Sequence, residues 1–318
     1  MTISMGRRTF AASLSTAAML GISLGLAGCG GGGDPDPSNA VVYTEPGANV
    51  PTVGTPAAGT GAAATPAGVA PAAASPAVAA TSVPSGKAEG WGTLKGQIVF
   101  GGTPPAPENL FDKGKAPKDA DIVCSKDGPI LNESLIVDSG SKGVKNVLVF
   151  LSKPTAINEE AKSNAVKVNA VFDQKNCVFE PHILPMMAGS TITLKSSDPV
   201  GHNVNASMIA NSRFNSLLAA NQSQPYSPGT AEKQPSRVVC DVHPWMLAYW
   251  MVLDHPYYAV TDAKGNFEIK NVPAGAQKVV VWQESTKHLT PIQGEEVTIT
   301  ANGTTEKSWT LDPAKVKK

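Results

Sequence analysis

The sequence lacks an excess of charge of either sign. Its 318 residues contain 26 lysines and arginines and 26 aspartates and glutamates, so the formal net charge is zero. No long run of Lys or Arg interrupts this balance. Because binding to a phosphate backbone needs clustered basic side chains, nucleic acid is not expected among the partners of this protein.

Aromatic residues (6%) and charged residues (16%) are also scarce, and one segment dilutes both. Residues 30–89 consist mainly of Ala, Pro, Gly, Thr and Val. Such a segment cannot bury enough apolar surface to offset chain entropy, so it is predicted to be a disordered tether. A flexible chain of this length has a root-mean-square reach of roughly 45 Å.

The N-terminus has the pattern of an export signal. Arg7 and Arg8 precede an apolar run over residues 11–24, which predicts a signal peptide over residues 1–29. The last four residues, Leu-Ala-Gly-Cys29, resemble a bacterial lipobox, which implies that Cys29 is lipidated. Cleavage by the ordinary signal peptidase and an uncleaved anchor are the alternatives. Arg7-Arg8-Thr-Phe also resembles a twin-arginine signal. We expect a lipid-anchored protein of the cell envelope, periplasmic or on the outer surface.

From residue 90 onward, no long segment has the apolar periodicity of a helix. Short apolar runs rich in Val, Ile and Phe alternate with Gly, Pro, Asn and Asp, as is typical of strands and turns. Predicted strands include residues 94–100, 144–151, 166–172 and 247–253. Residues 212–220 are expected to form a short helical or irregular excursion. The pattern predicts an all-β sandwich.

One heptapeptide carries most of the chemical information. It reads Cys240-Asp-Val-His243-Pro-Trp-Met246, and His202 lies 38 residues before Cys240. Two His and one Cys in a trigonal plane, capped by a weak and long Met bond, form a blue-copper electron-transfer site. The four side chains are therefore predicted to bind one type 1 copper. Each has a plainer alternative: a buried structural Cys, a core His, or packing by Met.

Residues 166–254 resemble a complete cupredoxin, a Greek-key β-sandwich. The resemblance rests on the strand at 166–172, the segment Cys177-Val-Phe-Glu-Pro, the segment Ala188-Gly-Ser-Thr-Ile-Thr-Leu, His202-Asn-Val and the Cys240 loop. The loop is most similar to that of amicyanin, in which two residues also separate Cys from His and His from Met.

The cupredoxin resemblance implies further roles around the metal. Asn203 is expected to tie the ligand strand to the Cys loop, although it could be an ordinary turn residue. His243 is expected to have an exposed ring edge. Pro244 and Trp245 would then form part of an apolar patch for weak, transient docking of redox protein partners. Core packing is the alternative for Trp245.

The flanking segments resemble another family. Gly92-Thr-Leu-Lys-Gly-Gln-Ile-Val-Phe, residues 144–150, residues 259–269 and Val272-Pro-Ala-Gly are similar to a carboxypeptidase-regulatory, transthyretin-like sandwich. We therefore expect this second β-sandwich over residues 90–165 and 255–318, with the cupredoxin domain of residues 166–254 inserted between its halves. One elaborated cupredoxin with extra strands is the alternative.

The remaining cysteines and histidines suggest structural roles. Cys124 and Cys177 are predicted to form a disulfide, because exported proteins favour such pairs. His182 is expected to make structural hydrogen bonds, with contact to the copper region as the alternative, and His255 is expected to pack at the domain junction.

The residues beside Cys240 bear on activity and potential. Neither neighbour of Cys240 is His, which argues against the second copper centre of multicopper oxidases and nitrite reductases within one chain.

Cupredoxins often have Ser or Thr after the Cys ligand, whereas this chain has Asp241. A carboxylate there is expected to disfavour the reduced, less positive copper and to lower the potential.

These observations predict a carrier of single electrons rather than an enzyme. Two other functions are compatible with the sequence: copper storage or delivery, and a structural or adhesive role built on the transthyretin-like half. An enzyme would need a subunit interface to supply further ligands.

Overall fold

The structure, a computed structural model, describes residues 90–118 and 121–317. The predicted signal peptide, the lipidation site Cys29 and the tether over residues 30–89 lie outside these residues. No helix within the described ranges is long and apolar enough to span a membrane.

Strands are the main regular secondary structure of the described residues. The strands, in chain order, are β1 (Trp91–Phe100), β2 (Asn109–Phe111), β3 (Ile130–Leu131), β4 (Leu148–Leu151), β5 (Val171–Lys175), β6 (Val178–Glu180), β7 (Ile183–Met187), β8 (Ile192–Ser196), β9 (His202–Ser207), β10 (Phe214–Leu218), β11 (Ser223–Tyr226), β12 (Ser236–Val239), β13 (Leu247–Leu253), β14 (Tyr258–Val260), β15 (Asn266–Pro273), β16 (Gly275–Gln283), β17 (Lys287–His288), β18 (Glu295–Ile299), β19 (Thr304–Glu306) and β20 (Trp309–Leu311). The helical elements are α1 (Ile122–Ser125), α2 (Glu159–Val166) and a 3-10 turn at Pro313–Lys315. The predicted all-β sandwich class is confirmed.

Strands of the central part of the chain form two sheets that face each other. One sheet has the order β10-β9-β12-β13-β7, and the other has the order β11-β8-β5-β6. Their shared core contains Phe172, Leu194, Val204 and Trp250, all with no exposed surface. Burial of such large apolar side chains is the main favourable contribution to folding.

Strands from both ends of the described chain form two further sheets. In one, β1 pairs with β15, β19 and β20, and in the other the order is β14-β4-β16-β17 with β18 also paired to β16. Their core includes Leu94, Ile98, Leu151 and Val281. The strands before residue 152 and those after residue 257 thus pair with each other rather than with the central strands.

A third apolar layer explains why β13 is hydrophobic along its whole length. Successive side chains of a strand point to opposite faces. Ala248, Trp250 and Val252 enter the core of the central sheets, whereas Tyr249 and Met251 pack with residues of β4 and β16. The ring centroids of Tyr249 and Trp282 are 4.9 Å apart. Because both faces are covered, β13 reads as a continuous apolar run.

Two local predictions were wrong. Residues 159–166 form α2, so the predicted strand at 166–172 begins only at Val171. The side chain of Asn158 caps the helix by accepting a hydrogen bond from the N–H of Ala161, and two glutamates occupy the first turn. Residues 214–218, within the expected irregular segment, form β10 because their backbone pairs with β9 in regular register.

Candidate metal centre

Three neighbouring strands place the predicted copper ligands. His202 is the first residue of β9, and Cys240 directly follows β12, which pairs with both β9 and β13. The turn from Cys240 to Met246 connects β12 to β13 and is closed by two backbone hydrogen bonds, from Cys240 N to Met246 O (3.3 Å) and from Met246 N to His243 O (2.9 Å). The sheet therefore fixes where the side chains of His202 and the turn meet.

The donor atoms of three residues converge. The Nδ1 atoms of His202 and His243 are 2.8 Å apart, and the Sγ atom of Cys240 lies 4.0 Å from the first and 3.9 Å from the second. A circle through these three atoms has a radius of about 2.1 Å, which matches metal–nitrogen and metal–sulfur bonds of about 2.0–2.3 Å. The three donors therefore converge closely enough to bind one transition-metal ion.

The site is closed to solvent. The exposed fraction is 0% for His202, 1% for Cys240, 3% for His243 and 1% for Met246. The thioether of Met246 belongs to the same core cluster as Cys240. A soft donor set of two imidazoles, a thiol and a nearby thioether suits copper rather than magnesium or calcium.

The electrostatics of the site favour a Cys240 thiolate beside a protonated His202. Burial alone would raise the pKa of the Cys240 thiol, but hydrogen bonds from His202 and His243 outweigh burial and lower this pKa to about 6. Burial would likewise lower the pKa of His202, but its bonds to Asp198 and Cys240 raise it to about 9. The thiolate that a metal requires is thus already favoured at neutral pH.

Asp198 positions His202, a role that the sequence did not reveal. Its carboxylate accepts a hydrogen bond from His202 Nε2 at 2.8 Å, and further bonds from the backbone N–H groups of Asn176 (2.6 Å) and Cys177 (2.8 Å). A carboxylate on the far nitrogen fixes the tautomer and orientation of a metal-binding imidazole. The only sequence signal is an acidic residue four positions before the histidine.

Asn203 and Asp241 join β9 to the ligand turn. The N–H of Asp241 donates to Asn203 Oδ1 and the amide of Asn203 donates to the Asp241 carboxylate, both at 2.7 Å. The amides of Asn205 and Asn215 donate to the same carboxylate, and these bonds lower the pKa of Asp241. Asn203 therefore connects β9 to the ligand turn, and amide donors surround the Asp241 carboxylate.

His243 is buried, whereas the resemblance implied an exposed ring edge. Its Nε2 atom lies 3.5 Å from Asp121 Oδ1 at the start of α1, and its ring centroid is 5.1 Å from that of Trp245. Cys124 of α1 and Cys177 form the predicted disulfide, which is confirmed. A ring nitrogen of His243 and the two sulfurs lie within 4.8 Å of one another. The segment with α1 therefore covers the ring edge that the resemblance implied to be free.

The two residues predicted for partner docking differ in exposure. Pro244 is exposed, whereas Trp245 is half-buried. Trp245 donates its indole N–H to the carbonyl of Cys177 at 3.1 Å and meets Phe111 edge-on at 5.0 Å. Val242, within the same turn, exposes 45% of its surface and was not singled out from the sequence.

The other two predicted histidines are both buried. His182 hydrogen-bonds through Nε2 to Glu284 and lies outside the cluster of metal donors. His255 stacks on Tyr257 with ring centroids 5.7 Å apart, and its Nδ1 accepts the backbone N–H of Tyr257 at 3.2 Å. Burial lowers the pKa of His255, which agrees with a neutral packing residue.

No protein-family model and no curated protein matches this chain. Several solved structures match part of it. A Cu-containing nitrite reductase from Thermus scotoductus SA-01 is 14% identical over 27% of this chain and 22% of that protein, with a TM-score of 0.25. A purple cupredoxin from Nitrosopumilus maritimus is 20% identical over 27% of this chain and 100% of its own, with a TM-score of 0.23. A methionine-to-alanine mutant of amicyanin in the Cu(I) state is 18% identical over 27% of this chain and 82% of that protein, with a TM-score of 0.25.

Proposed function

We propose that this protein carries single electrons through one type 1 copper held by His202, Cys240, His243 and Met246. The observation that supports this proposal is the convergence of two imidazole nitrogens and one thiol sulfur in a buried site, the donor types of a His2Cys copper centre. Copper bound there would supply a reversible change between Cu(I) and Cu(II).

The surrounding residues are suited to hold the donors still. Asp198 fixes the ring of His202, the reciprocal bonds of Asn203 and Asp241 fix the turn, and the backbone N–H of His243 donates to Cys240 Sγ at 3.4 Å. Because little can move when the charge of the metal changes, a small rearrangement and hence fast electron exchange are expected. The same closure disfavours rapid copper release, so delivery of copper is the weaker alternative.

The setting of the site is part of the proposal. We take residues 166–254 as a cupredoxin domain inserted into a transthyretin-like sandwich of residues 90–165 and 255–318. Lipidation at Cys29 would hold the protein in the cell envelope, with the tether of residues 30–89 letting it reach transient redox protein partners. Electrons would be exchanged without turnover of a substrate.

Voltammetry of the copper-loaded full chain tests this proposal. One reversible one-electron wave per chain is expected, with copper transferred only slowly to an added chelator. An irreversible wave, or complete copper transfer to the chelator within the mixing time, would instead favour storage or delivery.

Asp241→Asn is expected to raise the midpoint potential. The carboxylate favours the more positive Cu(II), so its removal favours Cu(I). The expected rise is of the order of 40 mV or less, since an exposed charge interaction is worth about 1 kcal/mol or less and about 59 mV corresponds to a tenfold change in a one-electron equilibrium. Asp254→Asn, at another exposed carboxylate, is the matched control and should leave the potential unchanged. An unchanged or lower potential in Asp241→Asn would count against this role.

Met246→Leu should keep the copper and raise the potential. Leu fills a similar volume, so the free energy of unfolding should change by less than about 1.5 kcal/mol. It lacks the sulfur donor, and the axial ligand tunes the potential of such sites. Met251→Leu is the control, because Met251 is equally buried but packs in the layer between β13 and β16. Equal potentials for the two variants would remove Met246 from the ligand set.

A further inference from the structure

A second polar cluster is buried beside the ligand turn. His182 exposes 6% of its surface and Glu284 exposes 9%, while the side chain of Glu133 exposes 26%. His182 precedes β7, Glu284 follows β16 and Glu133 lies shortly after β3. Three distant parts of the chain therefore bring one imidazole and two carboxylates together.

The hydrogen bonds of this cluster leave one lone pair of the imidazole unused. His182 Nε2 is bonded to a carboxylate oxygen of Glu284, and a carboxylate can only accept, so Nε2 carries the hydrogen. In the neutral ring, Nδ1 is then an acceptor. It is buried and has no hydrogen-bond partner among the described residues. The backbone carbonyl of His182 accepts the N–H of Tyr249 at 2.9 Å, which anchors the residue to β13.

A second acceptor lies near this lone pair. Glu133 Oε2 lies 3.7 Å from His182 Nδ1, which is too long for a hydrogen bond between them. Burial raises the pKa of Glu133 more than positive charge on His182 and Lys145 lowers it, so a further cation nearby would stabilise the carboxylate. Two acceptors at this distance are stabilised by a positive ion that both can contact.

The two acceptors line a cavity. Its volume is about 230 Å³, and its walls also include Asn132, Arg237 and Trp245. The cavity has room for a few waters or a small anion. It lies against the ligand turn, because Met246 also lines it.

We propose that His182 Nδ1 and the Glu133 carboxylate hold a divalent transition-metal ion of the zinc class, with its remaining positions open to the cavity. Their spacing of 3.7 Å is near the edge of about 3.4 Å expected for tetrahedral bonds of about 2.1 Å. Mixed nitrogen and oxygen donors suit Zn²⁺ or Co²⁺ better than Mg²⁺ or Ca²⁺. Glu284 orients the imidazole, as carboxylates do behind metal-binding histidines. This site is separate from the copper centre and does not depend on it.

The test uses the full chain carrying Cys240→Ser, so that the copper thiolate is absent. Co²⁺ is added as the probe, and its visible absorption and calorimetric titration are recorded. Introducing Glu133→Gln into this chain should lower the affinity for one Co²⁺ ion per chain by tenfold or more. Glu180→Gln, at an exposed carboxylate two residues before His182, is the charge-matched control and should weaken Co²⁺ binding much less, because Glu180 acts on Glu133 only through its charge.

Three results would overturn this assignment: no Co²⁺ equivalent in the Cys240→Ser chain, equal affinities with and without Glu133→Gln, or equal losses in the Glu133 and Glu180 variants. A Glu133→Gln chain that melts at a lower temperature in metal-free buffer, yet leaves Co²⁺ binding unchanged, would identify a plain ion triad around a protonated His182. The copper band of the unaltered chain is a separate readout, so failure of this site leaves the electron-carrier proposal standing.

Discussion

Replacing Cys240 by serine should abolish the intense visible absorption of the copper-loaded protein and weaken copper binding by more than about 100-fold. Loss of residues that only orient a metal ligand costs about 10–100-fold in affinity, so loss of the thiolate itself should cost more. Cys240 is the one cysteine outside a disulfide among the residues that the structure describes, so no nearby thiol can replace it. Equilibrium titration with Cu(II), followed by absorption, measures both effects.

The paired cysteines provide the control for this substitution. A chain with Cys124→Ser and Cys177→Ser loses two sulfurs close to His243 but keeps Cys240. It should retain the visible band. If the band disappears in the double variant but persists in Cys240→Ser, the thiolate has been assigned to the wrong residue.

Removing the disulfide should cost about 4 kcal/mol of folding free energy. The bridge closes a loop of 53 residues, and the entropy that such a closure removes from the unfolded chain gives this magnitude. Urea unfolding of the metal-free double serine variant measures the loss. Cys240→Ser, which breaks no bridge, serves as the comparison and should change the unfolding free energy much less. A loss below about 1 kcal/mol in the double variant would mean that other contacts hold these segments together.

The double serine variant also tests whether the segment that contains α1 shields the ring of His243. With the bridge gone, α1 and Asp121 are held near the ring only by weaker contacts. External redox reagents should then react faster with the copper, because the ring edge of His243 becomes accessible. An unchanged rate would indicate that electrons pass through another part of the surface, such as the exposed residues Val242 and Pro244.

The sequence predicted the ligand cluster because most of it is local. Cys240, His243 and Met246 occupy one turn. The antiparallel pairing of β9 with β12 brings His202 beside that turn. The all-β class followed from the short apolar runs. The disulfide followed from the number of cysteines that remained after the metal motif was assigned.

Other features depend on contacts between distant residues that no local pattern reveals. Nothing near residue 121 indicates that this aspartate reaches His243, or that Glu133 and Glu284 meet at His182. The strand β10 was missed because its residues do not alternate clearly, and pairing with β9 decides its conformation. The helix α2 was missed because its apolar residues are few and none is buried.

The most direct measurement is the absorption spectrum of the full chain during titration with Cu(II). The arrangement of His202, Cys240 and His243 predicts an intense thiolate-to-copper band that saturates at one copper per chain. A Cu(II) complex without this band would contradict the type 1 site, and with it the proposed transfer of electrons.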